Sequence, residues 1–545
     1  MSLFSRLIKV GSIAQSMSVY LPAMVFQKAL GMARVVLFTY FVSLSEMGIW
    51  GAGVMVFILG GSVVTLGTHH GMGRYVSLYE SRGQLWLFFK RVWLGVLAIV
   101  LLMGTAGFFL RQQCADWLIL PSLNSQLPPG HLGQICLVVL GNVLLMGLHM
   151  NMISFMYGLR VYRLVSVVEI FFSVVFTVAG LAAVQFEATA LTILYAHLGA
   201  LVLTLTLGLA LLRAAVLKIS RLSDSPDAPQ LAPCQKFPQP DFEPISQGDA
   251  DTLVASAPTG RGELDELAEE TGAGGMLRFL KFGFVGMLSA LVWLGAGYVS
   301  YFLALRQLGQ SSAGLFHVIM KLAQPLLFLA NAAWAVIFSH VAKRWESGDR
   351  PGAIYTLETA FKVVTLVVMT LTVLLYVTAP IWIRVLQVEY RAGYYCLPGL
   401  LMFFMAVSNL TILGIPAKLH ERPIVIAIAG LVGGGLNALL ALLWMPQFDI
   451  VGAARAAGVG MYFGGGVVML VYLLISKTRL HDSTYFLLAT PALLLLPSFV
   501  VGPIWILLLT ACIFSPWFFD AGQKRLLRSS VRKLWQTARR FLPWR

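Results

Sequence analysis

Charged and polar side chains inside an apolar run near the N-terminus are the first residues that could do chemistry. Tyr20, Gln27 and Arg34 recur every seven residues and so share one helix face, with Lys28 rotated by about 120° from it. A cation centred in hydrocarbon costs about 3 kcal/mol, which makes such residues functional candidates. Lys28 lies too deep in the apolar run for its ammonium group to reach the membrane interface easily. We therefore predict that it faces a polar cavity. The offset means that Lys28 and Arg34 cannot both point straight at one ligand unless their long side chains bend.

A second polar set follows in a later apolar run. His317, Lys321, Gln324 and Asn331 are separated by four, three and seven residues, which places them on a single helix face. Pro325 in their midst predicts a kink. We expect this face to line the same cavity as the first set.

The chemistry that these residue types favour is binding of an anion. Lysine and arginine pair strongly with phosphate oxygens, and a site with little water screens that attraction poorly. A cavity of this kind suits a pyrophosphate headgroup and suits a cationic drug badly. The chain has no Gly-Lys dipeptide and therefore no ATPase phosphate loop, and we assign no catalytic residue, metal or cofactor. The candidate substrate-binding residues are Lys28, Arg34, Lys321, Gln324, Gln27, His317 and Asn331.

Other polar residues in the apolar runs have simpler interpretations. Lys281 and Lys362 lie near run ends and are predicted to extend to the membrane interface. Glu169 is the main intramembrane acid, and its closeness to Arg160 and Arg163 favours a local ion pair over a coupling-ion site. Histidines that we expect to act in packing or at interfaces are His69, His70, His149 and His197.

The elements that position these residues are membrane spans. With 58% hydrophobic residues, 12% charged residues and a mean hydropathy of +0.81, the chain belongs in a bilayer. A span needs about 20 apolar residues, and fourteen runs qualify, the last two being interrupted by prolines. They cover 13–43, 49–70, 88–110, 131–153, 164–184, 190–212, 279–303, 314–340, 361–383, 395–416, 424–444, 450–475, 484–500 and 503–519. The predicted fold class is an all-α integral membrane protein.

Lysine and arginine are distributed unequally between alternate loops, which predicts the orientation. Cationic loops stay on the cytoplasmic side during insertion. One set of loops holds most of these residues, and the opposite set carries only Arg111, Arg306, Arg384 and Arg391. We therefore predict a multi-pass protein of the bacterial inner membrane with both termini in the cytoplasm, which agrees with an even number of spans.

Short loop motifs recur about 265 residues apart and indicate two repeats of six helices each. Gly48 and Gly83 are 35 residues apart, and Gly314 and Gly348 are 34 apart, each pair flanking the second span of its half. A duplicated membrane unit normally encloses a shared substrate site near its midplane. The repeats therefore predict a transporter.

The repeats divide the chain into an N-terminal lobe at 1–221, a linker at 222–274, a C-terminal lobe at 275–480, helices 13 and 14 at 481–522 and a tail at 523–545. We predict that the proline-rich linker is disordered and cytoplasmic. It holds eleven acidic and two basic residues, a net charge of −9, so the rest of the chain carries +24. That basic excess fits anionic inner-leaflet lipids and needs no nucleic acid. The tail is basic and amphipathic, which favours the inner membrane surface, with docking to a partner as the alternative.

Four motifs resemble those of the polysaccharide transporters, the O-antigen-type flippases of the multidrug/oligosaccharidyl-lipid/polysaccharide exporter superfamily. They are Met47-Gly48-Ile49-Trp50, Arg74-Tyr75 leading to Glu80-Ser81-Arg82-Gly83, Ala313-Gly314-Leu315-Phe316 leading to Lys321-Leu322-Ala323, and Ile450-Val451-Gly452-Ala453-Ala454. The resemblance covers about residues 10–480. It implies two six-helix lobes around a cationic cavity that alternates between inward-open and outward-open states. The implied substrate is an undecaprenyl-pyrophosphate-linked oligosaccharide, moved outward for surface polysaccharide biosynthesis.

Two other functions stay open. A cation-coupled multidrug exporter of the same superfamily would be expected to carry an acid deep in the first or seventh span, and neither span has one. A membrane glycan polymerase or ligase would need a sizeable outer domain, whereas the longest predicted loop is cytoplasmic. The acidic linker, which departs from the family pattern, leaves open whether polysaccharide assembly enzymes dock on it.

Overall fold

The structure, a computed structural model, describes residues 13–81, 83–111, 113, 131–223, 273–346, 348–420, 422–478, 480–525 and 528. Over these residues the chain forms helices and no strand. Most of the predicted linker and of the basic tail lies outside the described residues, so the expectations for both stay predictions.

The described residues of the first half form seven helices. They are α1 (Ile13–Phe38), α2 (Leu44–Val64), α3 (Thr68–Ser81), α4 (Leu85–Phe109), α5 (His131–Gly158), α6 (Tyr162–Phe186) and α7 (Ala190–Ser223). The second span is α2, and the short polar helix α3 follows it after the backbone turns at Leu66 and Gly67, both of which have positive φ. Ser43 caps the start of α2 by accepting the amide hydrogen of Glu46.

From residue 273 onward, the part of the chain that the structure describes has eight longer helices, with short helical turns between some of them. They are α8 (Ala273–Gln307), α9 (Gln310–Ala323), α10 (Pro325–Glu346), α11 (Arg350–Val377), α12 (Leu397–Leu413), α13 (Ile424–Val459), α14 (Gly466–Ile475) and α15 (Ser498–Phe514). The chain bends by 41° between α9 and α10, just before Pro325, so the second span of this half is broken.

Helical structure occupies all fourteen predicted spans and confirms the predicted fold class. Nine described stretches are long and apolar enough to cross a membrane, or ten if α9 and α10 form one span. One of the nine, Ile424–Ile475, has 52 residues and contains a kink at Asp449, whose backbone is not helical. Since a span needs about 20 residues, this stretch is two spans. The last two predicted spans, 484–500 and 503–519, correspond to the helical segment at 482–495 and to α15.

The matched glycines of the two halves occupy equivalent structural positions. Gly83 follows α3 with φ of +67°, and Gly348 follows α10 with φ of +87°. In both halves a glycine therefore follows the end of a helix in the left-handed conformation, where it carries no steric penalty. The other matched pair, Gly48 and Gly314, meets at the crossing of α2 and α9. A Cβ on either one would overlap backbone atoms of the opposite helix.

Two helix crossings therefore join the halves. At one end Gly48 of α2 faces Gly314 of α9, and the Tyr301 hydroxyl donates to the Gly48 carbonyl at 2.5 Å. At the other end α3 packs on α8, where Gly67 lies against Gly283. Small residues at such crossings let helix backbones approach closely. Both crossings lie next to the cavity described below.

The prediction that Lys362 extends to the membrane interface is wrong. Its side chain is only 2% exposed, and its Nζ lies 2.9 Å from Glu358 Oε1 and donates to the Phe518 carbonyl at 3.0 Å. Thr484 donates to the same Glu358 oxygen at 2.9 Å. Lys362 is thus part of a buried polar cluster that attaches the C-terminal helices to α11. Lys281, by contrast, is exposed, and its extension to the membrane interface stays a prediction.

Candidate functional site

A cavity of about 580 Å³ lies mainly within the first half. Helices α1, α2, α3, α5, α6 and α7 supply most of its wall. The second half contributes α8, α9 and the start of α10 through Ala290, Leu294, Lys321, Gln324, Pro325 and Phe328. Both halves therefore line the cavity, and the first half supplies most of its wall.

Five of the seven candidate residues line this cavity, namely Lys28, Arg34, Lys321, Gln324 and Gln27. The cations come from both halves, because α1 carries Lys28 and Arg34 whereas α9 carries Lys321. Lys28 Nζ lies 4.0 Å from the ring centroid of Phe328, which belongs to α10. Lys321 Nζ donates to Gln324 Oε1 at 3.3 Å. Long side chains thus overcome the angular offset between Lys28 and Arg34 that the helix geometry of α1 imposes.

Arg34 is held by α6 along one side of its guanidinium. Its Nη1 donates to Thr177 Oγ1 at 3.2 Å and to the Ser173 carbonyl at 3.5 Å. The guanidinium carbon lies 4.1 Å from the ring centroid of Phe176, a cation–π distance. The buried Arg34 Nε has no hydrogen-bond partner among the described residues. Arg34 is therefore oriented at the cavity wall with donor capacity still unused.

Glu169 also lines the cavity, which corrects its predicted ion pair with Arg160 and Arg163. Arg160, which lies in the turn between α5 and α6, instead pairs with Glu80 of α3. Its Nη2 lies 2.7 Å from Glu80 Oε2. Glu169 accepts from Gln27 Nε2 at 2.5 Å, and its other oxygen lies 3.3 Å from His149 Nε2. The sequence held a signal for this position, because Glu169, Ser173 and Phe176 are spaced by four and three residues on one helix face.

Imidazole and aromatic rings complete the wall. The histidines make local contacts, with His197 Nδ1 2.6 Å from Asn142 Oδ1 and His69 Nδ1 3.0 Å from Thr65 Oγ1. These hydrogen bonds fix the two histidines within the helix packing, as predicted. Their rings also border the cavity. The histidines on the wall are His69, His70, His149 and His197, and the larger aromatic rings are Trp50, Phe57, Phe172, Phe176 and Phe328.

His317 and Asn331 do not line the cavity, contrary to the predicted common face. His317 is fully buried one layer behind the wall, 5.1 Å from the Trp50 ring and 5.9 Å from the Tyr301 ring between centroids. It lies at the α2–α9 crossing, where the helices are too close to leave space. Asn331 is exposed on α10, beyond the 41° bend. Phe328, which also follows the bend, still lines the cavity, so α10 leaves the wall between Phe328 and Asn331.

The chain resembles solved transporter structures in fold. One is the lipid II flippase MurJ in an inward closed conformation, with a TM-score of 0.60, 13% identity and coverage of 91% of this chain and 98% of that one. Another is an inward-facing multidrug resistance MATE family transporter of the MOP superfamily, with a TM-score of 0.54, 14% identity and coverage of 83% and 96%.

A third similar structure is a MOP superfamily transporter from Pyrococcus furiosus, whose description reports a binding pocket of reversed polarity. It has a TM-score of 0.54 and 13% identity, and the match covers 88% of this chain and 98% of that one. No protein-family model and no curated protein matches the sequence. At these identities the comparisons show the fold alone. The chain has the fold of transporters of the MOP superfamily.

Proposed function

We propose that this protein flips an anionic lipid-linked oligosaccharide across the bacterial inner membrane by alternating access. The substrate is of the undecaprenyl-pyrophosphate type and serves surface polysaccharide biosynthesis, such as that of O-antigen or exopolysaccharide. The observation that carries the proposal is the convergence of Lys28, Arg34 and Lys321, from both halves, on one cavity. Cations from both halves can bind one phosphate group. Its binding then favours the relative position of the halves in which all of them reach it.

The aromatic wall supports a glycan headgroup. The flat rings of Trp50, Phe172 and Phe328 border the cavity beside the cations, and an amphipathic sugar face packs well on an aromatic ring. The similarity to MurJ, whose structure is described as that of a lipid II flippase, agrees with a lipid-linked substrate. We infer further that anionic inner-leaflet lipids contact the basic loops and that polysaccharide assembly enzymes are partners.

The proposed orientation places both termini and the linker at 222–274 in the cytoplasm, because the alternate loops differ so strongly in lysine and arginine content. We expect a cysteine placed at Ser246 to react with a membrane-impermeant thiol reagent only after the cells are permeabilised. The variant would be built without the native cysteines. Labelling of intact cells from outside would contradict this orientation.

A second candidate function is cation-coupled multidrug export, and Glu169 favours it. The acid expected of such an exporter is missing from the first and seventh spans, but α6 brings a carboxylate to the cavity instead. The similarity to MATE transporters agrees with this candidate as well as with the first. The excess of cations over carboxylates in the cavity is our reason for preferring the anionic substrate.

Reconstitution in liposomes distinguishes the two candidates. A fluorescent polyprenyl-pyrophosphate oligosaccharide reports flipping through its quenching by an impermeant reductant, and ethidium reports cation transport. We expect the full-length protein to accelerate movement of the lipid and leave ethidium unmoved, with or without a proton or sodium gradient. Gradient-dependent ethidium transport without movement of the lipid would reverse the assignment.

A further inference from the structure

Glu169 is the one carboxylate among the described residues that line the cavity. Its side chain is 24% exposed, compared with 6% for its partner His149, so the carboxylate borders the open space while the imidazole is covered. Gln27, which donates to Glu169, directly precedes Lys28 on α1, and Lys28 lines the same cavity. An acid in a site otherwise built for anions requires a physical explanation.

The formal charges of the cavity provide one. Lys28, Arg34 and Lys321 against Glu169 leave a net charge of +2 when the lining histidines are neutral. A pyrophosphate esterified at both ends, to a lipid and to a sugar, carries two negative charges at neutral pH. The same lipid and sugar joined through a single phosphate carry one. The cavity charge therefore matches the pyrophosphate-linked class.

The same geometry explains how the substrate headgroup can leave the cavity. Two donors hold the Glu169 carboxylate in place, one from Gln27 and one from His149. In that position it balances part of the positive charge of the cavity when no substrate is bound. Unpaired charge in a low-dielectric site is costly, so an internal anion stabilises the empty state. A bound phosphate must then compete with Glu169 for Lys28, which limits affinity and favours release.

We propose that Glu169 is the resident counter-anion of the cavity, which sets its charge for headgroups with two negative charges and competes with their phosphate for Lys28. This inference rests on the proposed function. Glu169 therefore limits affinity and favours turnover through Lys28, and it does so with no covalent step and no change in protonation.

The test measures binding of two probes to the purified full-length protein. The probes carry the same short polyprenyl chain and the same N-acetylglucosamine, joined by a pyrophosphate diester in one and by a phosphate diester in the other. We expect the unaltered protein to bind the pyrophosphate probe about tenfold more tightly or better, since one more charge contacts the cations. Glu169→Gln should bind both probes about tenfold more tightly or better, because a nearby like charge is removed.

Flipping of a fluorescent form of the pyrophosphate probe gives the second readout. In Glu169→Gln we expect KM to fall and kcat to fall with it, because release becomes slow. Glu169→Asp keeps the charge and should stay near the unaltered protein in both assays. Glu187→Gln, which removes an exposed carboxylate at the end of α6, is the matched control and should change neither. Glu169→Met provides a second uncharged variant should the Gln form fail to accumulate.

The outcomes separate this inference from the proposed function. If the unaltered protein binds the pyrophosphate probe but Glu169→Gln and Glu169→Met bind it no more tightly, the counter-anion role is wrong and the proposed function stands. If the unaltered protein binds neither probe, the proposed function itself fails. Equal affinity of the unaltered protein for both probes would refute the charge match.

Discussion

Replacing Lys28 or Lys321 by Gln is expected to reduce substrate affinity roughly tenfold to a hundredfold. Each change removes a charge-assisted contact to the headgroup, worth about 1.5 to 3 kcal/mol. Lys28→Arg and Lys321→Arg should cost much less, although not nothing, because the planar guanidinium presents its donors differently. The measurements are binding of the pyrophosphate probe and restoration of surface glycan to a strain that lacks this gene, with protein level determined in parallel.

Lys281→Gln is the matched control, since Lys281 is exposed on α8 and does not line the cavity. It should restore glycan as well as the unaltered protein. If the Gln variants at Lys28 and Lys321 both do so too, the cationic-cavity mechanism is wrong and cation-coupled export becomes the better explanation. Loss in the Arg variants as severe as in the Gln variants would show that geometry matters more than charge.

Most of the fold follows from local sequence properties. A membrane span is specified by its own length and apolarity, because the bilayer leaves no other way to satisfy its backbone. The turn glycines Gly83 and Gly348 could likewise be paired from the sequence, since each ends a helix by a local mechanism. What could not be predicted is the crossing of α2 and α9, where the paired glycines Gly48 and Gly314 meet. Their spacing shows equivalence and carries no information about contact.

The candidate site was predictable only where a single straight helix decided it. Lys321 and Gln324 lie on one turn and reach the cavity together, whereas Asn331 is separated from them by a bend whose direction depends on packing with the other helices. His317 lies on their side of the bend but at a helix crossing, which no pattern within α9 reveals. The sequence predicts an ion pair between Glu169 and the nearby Arg160 and Arg163, but closeness along the chain does not establish closeness in space.

The buried cluster around Lys362 makes a second prediction of large effect. Lys362→Gln should leave the Glu358 carboxylate buried without its cation, and breaking a buried pair in this way costs about 3–5 kcal/mol. Because the same Nζ donates to the Phe518 carbonyl, we expect the loss to loosen the C-terminal helices from α11. Cys512 on α15 is buried, at 4% exposure, so its alkylation rate in detergent, followed by mass spectrometry, reports that loosening directly.

Two further variants separate the ion pair from general damage. In Lys362→Met with Glu358→Leu both charges are absent, and replacing a buried pair by apolar groups of similar volume is often neutral. We therefore expect the double variant to keep Cys512 protected and to unfold at a temperature close to that of the unaltered protein. Lys281→Gln should leave both measurements unchanged. Rapid alkylation of the double variant would show that the C-terminal helices depend on the Lys362 hydrogen bond to Phe518 more than on charge balance.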